Sequence, residues 1–143
     1  MYLQLSSRDY NYSLSFTACI NLVAGKSATG KTKLVNLVKK AKYMSDAVTV
    51  NSQLFNASID TLKSGSMLLI DLDDLTDCSV VDEIVRASRS DICVVFFGRK
   101  FANRIPVDAQ NIFELVDIEG VTKNLPLVNE ELKNYHHFKR NHS

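Results

Sequence analysis

Eight residues near the start of the chain, Gly25-Lys26-Ser27-Ala28-Thr29-Gly30-Lys31-Thr32, constrain the fold more than any other stretch. Its two glycines permit a tight backbone curl that other residues resist. The apolar run at 19–24 ahead of them reads as a buried strand. Residues 31–42 behind them read as a helix, with Leu34, Leu37, Val38 and Ala41 on one apolar stripe. A strand, a glycine-rich turn and a helix in that order open a βαβ unit, and a βαβ unit predicts parallel strands.

The remaining sequence continues that alternation. Short strands are expected at 3–5, 12–16, 47–50, 67–71, 92–97 and 112–118. A weaker helical pattern runs through Leu54, Phe55, Ile59 and Leu62, and a stronger one through 79–88, where Val81, Ile84 and Val85 share a face. Asp82 and Glu83 lie early in that helix and Arg86 and Arg89 late, as the helix dipole favours. Asn129 is expected to cap a short helix with Leu132 and Tyr135. The predicted fold is a single α/β domain over residues 1–143. It has a mostly parallel sheet of about five strands, helices on both faces and a small N-terminal β-element.

The chemistry of the 25–32 segment follows from its residue types. Successive N–H groups in such a curl point inward and form an anion-binding nest, with the positive end of the next helix behind it. Gly25, Lys26, Ser27, Ala28, Thr29, Gly30, Lys31 and Thr32 are therefore the expected phosphate cradle. Lys31 would reach the terminal phosphates and Thr32 would ligate magnesium. A second magnesium partner is expected at the end of a neighbouring strand. Met67-Leu68-Leu69-Ile70-Asp71 supplies four apolar residues and then a carboxylate, so Asp71 takes that role.

With these two motifs the chain resembles the P-loop NTPase superfamily, as a pared-down core of the ABC and AAA type. The resemblance rests on Gly25 to Thr32 as the Walker A motif and Leu68-Leu69-Ile70-Asp71 as the Walker B motif, and spans about residues 12–97. It implies ATP and Mg2+ as ligands, and a strand at 92–97 inserted between the two motif-bearing strands. The family places a catalytic Glu directly after the Walker B Asp, and here that position is Leu72. Asp73 and Asp74 are the nearby candidates for polarising water, with Lys31 as the catalytic cation. On this reading hydrolysis is slow or depends on a partner, and a Glu in place of Leu72 should raise the rate. No LSGGQ-like signature is present.

Other features refine this expectation. Arg99, Lys100 and Arg104 follow a core strand and are candidates for phosphate contact, against the plainer reading of a solvated loop. Val121-Thr122-Lys123-Asn124 only superficially resembles a guanine-reading motif, because no Asp stands two residues after the Lys; ATP is preferred over GTP. Lys and Arg number 17 against 16 Asp and Glu, so nucleic acid is not indicated as a partner. No apolar run suits a membrane span, and Cys19, Cys78 and Cys93 read as reduced thiols, so a cytoplasmic location is expected. His136, His137 and His142 read as surface residues.

The function expected is that of an ATP-binding regulatory or assembly component, with a protein partner or a second copy completing the site. A small-molecule or nucleotide kinase and a non-catalytic interaction protein are the alternatives.

Overall fold

The computed structural model describes residues 2–6, 11–24, 34, 48–50 and 62–127. Its strands are β1 (Tyr2–Ser6), β2 (Asn11–Ser15), β3 (Ile20–Val23), β4 (Val48–Val50), β5 (Met67–Asp71), β6 (Cys93–Phe97), β7 (Ile112–Ile118) and β8 (Val121–Pro126). The helix α1 spans Ser79–Ala87. All eight strands join one sheet in the order β1-β2-β8-β7-β3-β6-β5-β4.

This architecture corrects the predicted fold class. Described residues are mostly strand, with α1 the one α-helical element among them. The sheet is mixed: β7 pairs antiparallel with β8, β8 runs parallel to β2, and β2 pairs antiparallel with β1. The N-terminal β-element is no separate appendage, because β2 hydrogen-bonds through β8 into the main sheet. Among the described residues the sheet is therefore eight-stranded and mixed, with one helix, and not a mostly parallel five-stranded sheet with helices on both faces. The helices expected at 31–42, at 54–62 and after Asn129 lie outside the described residues, apart from Leu34, which is helical, and Leu62, which is not.

The cause of the correction is local. The sequence predicts no strand after 112–118, where Glu119-Gly120 follows. Instead both residues have positive φ, 53° and 84°, and form the two-residue turn of a hairpin. Gly120 donates its N–H to Asp117 Oδ1 at 3.0 Å, which stiffens the turn. The chain therefore reverses and adds β8. The side chain of Asn124 then bridges to β2, accepting from Ser15 N–H and donating to Ser15 O, both at 2.8 Å. The Val121 to Asn124 stretch is thus strand, and Asn124 is committed to sheet pairing.

Two apolar layers hold the sheet. β5 and β6 are near-continuous apolar runs because both their faces are covered. On one face Leu22, Leu68, Ile70, Val94 and Phe96 pack with Val80, Val81 and Ile84 of α1. On the other, Val23, Met67, Leu69, Val95 and Phe97 continue through Phe113 to Leu14 and Leu3. Leu34 is fully buried in this second layer. Phe16 and Phe113 meet edge to face, 5.5 Å between centroids. Outer strands β1 and β2 alternate exposed and buried residues, as a strand covered on one side must.

The hairpin turn yields a test. Glu119 sits at φ 53°, a region that disfavours most L-residues and tolerates Asn. Glu119→Asn is expected to raise stability by about 0.5–1 kcal/mol, measured by urea denaturation.

Candidate functional site

Five neighbouring strands, β7-β3-β6-β5-β4, are mutually parallel, so their carboxyl ends share one edge. β6 lies between β3 and β5, the order expected from the sequence. The register is specific: Val23 is level with Phe97, and Phe97 with Asp71. β3 thus delivers Ala24, and with it the start of the 25–32 segment, to the edge where Asp71 ends β5. Ala24 is fixed there by its N–H donating to Phe113 O at 2.8 Å. Residues 25–32, including Lys31 and Thr32, lie outside the described residues.

Asp71 terminates its strand and starts a 3₁₀ turn, Leu72–Asp74. Its carboxylate accepts from Asp73 N–H at 3.1 Å, capping the turn. Alternation along β5 places Asp71 on the sheet face of Met67 and Leu69, the layer that also buries Leu34. Asp71 is half-buried, whereas Asp73 and Asp74 are exposed.

The turn overturns one expectation. Continued strand would have put Asp73 on the same face as Asp71, but the strand stops at Asp71. Leu72 swings into the opposite layer and is 0% exposed, among Leu22, Ala24, Leu75 and Val80. A Glu at this position cannot polarise water at the edge. It would place a carboxylate in the core.

Gly98 sets the remaining geometry. It follows β6, and its N–H donates to Val23 O at 3.0 Å, tying the end of β3 to β6. Its φ is 118°, a region that disfavours side chains. A Cβ there would stand 2.9 Å from Asp73 Oδ2. The missing side chain is what lets the Asp73 carboxylate lie against the end of β6. Asp71, Asp73 and the β3 exit are thereby gathered at one edge. The signal for Gly98 was present as a glycine directly after a buried strand, a usual mark of close approach.

Of the basic candidates, Lys100 and Arg104 make structural contacts. Lys100 Nζ donates to Leu75 O at 2.6 Å and lies 5.2 Å from the Phe101 ring centroid, bracing the loop after β6 against the 3₁₀ turn. Arg104 pairs with Asp82 of α1 at 3.1 Å. Arg99 is exposed at the same edge. Arg86 lies in the last turn of α1, where its charge suits the dipole. Arg89, expected to serve that helix end, instead grips Asp91 with two bonds of 2.8 and 2.6 Å and donates to Leu62 O at 2.9 Å. The guanidinium holds the Asp91 carboxyl below its usual pKa.

No known protein family, curated protein or solved structure matches this chain. Its site must therefore be judged on geometry and chemistry alone. Among the described residues no three His, Cys, Asp or Glu side chains are grouped to hold a metal by themselves. A magnesium ion that arrives with a polyphosphate does not need such a group, since one or two carboxylates, phosphate oxygens and waters complete its shell. Asp71 fits that limited role. Among the described residues no helix is long and apolar enough to cross a membrane.

Two variants probe this edge. Leu72→Glu is expected to lower stability at neutral pH by at least ~3 kcal/mol, from lost apolar burial and an unpaired buried carboxylate. Burial raises the carboxyl's folded pKa, so the electrostatic part of the loss is absent below about pH 4, where the group is neutral in both states, and grows as pH rises. Urea denaturation across pH checks both size and sign. Gly98→Ala is expected to cost about 1–3 kcal/mol through backbone strain and the crowded carboxylate, seen as a lower thermal midpoint.

Proposed function

We propose that this chain binds a purine nucleoside triphosphate with magnesium, ATP in preference to GTP, and hydrolyses it slowly without a partner. The single observation that carries the reading is the shared edge. β3 leads straight into Gly25-Lys26-Ser27-Ala28-Thr29-Gly30-Lys31-Thr32, while Asp71 ends β5 at the same register level, one strand away across β6. Ligands of parallel sheets bind outside the carboxyl ends of the strands. Leu34 adds support, because its helical conformation and burial suit a helix beginning near Lys31 and packing beneath the phosphates.

In this reading the backbone N–H groups of residues 25–32 hold the phosphate oxygens and Lys31 neutralises the terminal phosphates. Thr32 and Asp71 position the magnesium, which supplies charge for phosphoryl transfer. Slow turnover follows from the side chains available to orient water. The position after Asp71 is a buried Leu, and Asp73 rests against Gly98 with its N–H held by Asp71. Asp74 is exposed on the same turn and is the other carboxylate in reach of the edge. A well-placed general base contributes about 10²–10⁴-fold, so a turn whose first position is a buried Leu is expected to leave binding intact and hydrolysis slow.

Calorimetry with Mg-ATP, Mg-GTP and Mg-ADP tests this reading on wild type and Lys31→Ala. Wild type is expected to bind ATP more tightly than GTP. Lys31→Ala should weaken triphosphate binding at least ~10-fold, about 1.4 kcal/mol, with an unchanged melting curve in the absence of ligand. Equal binding by the two proteins would remove the phosphate cradle from the account.

A further inference from the structure

At the opposite edge of the sheet two cysteines stand side by side. Ile20 pairs with Val94 in the parallel β3–β6 ladder, and Val94 N–H donates to Cys19 O at 2.8 Å. One step back in that register puts Cys19 beside Cys93. Neighbouring strands lie about 4.8 Å apart, which falls within the Cα separation of about 4.4–6.8 Å that a disulfide accepts. Alternation places Cys19 on the face of Asn21 and Val23, the same face as Cys93 and Val95. The two thiols differ in access: Cys19 is exposed and Cys93 is buried. Cys19 lies in a bend, directly before the first residue of β3.

A buried polar side chain marks the same spot. Asn21 is 0% exposed, and its Nδ2 donates to Ala18 O at 2.8 Å and lies 3.4 Å from Cys93 Sγ. Its Oδ1 has no hydrogen-bond partner. An amide in an apolar layer with an unpaired acceptor is costly. What it provides is an N–H donor within reach of the Cys93 sulfur, with Val94 O at 3.3 Å as the other acceptor there.

We propose that Cys19 and Cys93 are a peroxide-responsive thiol pair that closes to an intramolecular disulfide. The exposed Cys19 sulfur attacks hydrogen peroxide. The O–O bond breaks, an S–O bond forms, and water leaves, giving the sulfenic acid of Cys19. Cys93 sulfur then displaces the hydroxyl group, which departs with the Cys93 proton as a second water as the S–S bond forms. Peroxide gains two electrons and each sulfur gives up one. Burial pushes the Cys93 thiol up to about 11 and keeps it protonated, which leaves the first attack on peroxide to the exposed Cys19. Asn21 Nδ2 stabilises the sulfur as negative charge develops on it. Cys78, half-buried ahead of α1, takes no part.

The test uses the full native chain. It is treated with hydrogen peroxide, its remaining thiols are alkylated, and the digest is read by mass spectrometry. The expected product is a linked Cys19–Cys93 peptide pair from monomeric protein, lighter than the reduced pair by two hydrogen atoms. It should form equally in Cys78→Ser and be absent in Cys19→Ser, where Cys93 should remain alkylatable. Sulfinic or sulfonic acid at Cys19 with Cys93 still alkylated, a Cys19–Cys78 link, or a Cys19–Cys19 dimer would each overturn the proposal. The wild-type and Cys78→Ser maps decide it without any substitution of the buried Cys93.

Discussion

The parallel pairing of β3, β6 and β5 is the constraint on which everything else rests. These three strands are buried on both faces, so their register is held by two apolar layers at once. A slip of one residue would turn each layer inside out, carrying Asn21 and Asp71 to the wrong face. Because Val23, Phe97 and Asp71 are level, the chain exits β3, β6 and β5 at a common edge. Ala24, Gly98 and the Leu72–Asp74 turn then follow from where those exits fall.

The two edges of this central ladder have opposite chemistry. At the carboxyl ends, backbone and carboxylates meet around a glycine, and the neighbouring cations are turned to bracing: Lys100 to a carbonyl and Arg104 to α1. Arg99 is a further exposed cation at that edge. At the amino ends, a buried amide lies 3.4 Å from the sulfur of the buried Cys93, and the exposed Cys19 stands on the neighbouring strand. A bond there would join β3 to β6 across the end farthest from the proposed nucleotide edge, so each chemistry can operate without displacing residues of the other.

Most strands were legible in the sequence because burial on both faces writes a continuous apolar run, as in 67–70 and 93–97, and one-sided burial writes alternation, as in 11–15. The order β3-β6-β5 is the one that the resemblance carried by the two motifs implies. β8 was not, because it is largely exposed, carries Lys123, Asn124 and Pro126, and has no apolar stripe of its own. Its existence depends on a turn containing a Glu at positive φ, a residue that does not announce such a turn. Missing β8 hid the link that merges the N-terminal hairpin with the main sheet, and the fold class was misjudged for that reason. At the site, Asp71 was legible as a carboxylate closing an apolar run. The burial of Leu72 follows from the same alternation, which groups it with Leu68 and Ile70, whereas the 3₁₀ turn that ends the strand before Asp73 was not legible.

The central claim is that a metal–triphosphate complex sits at the carboxyl edge of β3, β6 and β5. Backbone-amide NMR with ATP and manganese in place of magnesium tests it most directly, because the paramagnetic ion broadens nearby amides. The account predicts selective loss of signal at Ala24, Asp71, Leu72, Asp73 and Gly98 on adding both ATP and manganese, with Ser66 and Cys93 at the far edge sharp. Broadening centred on the far edge, or none at this one, would contradict it.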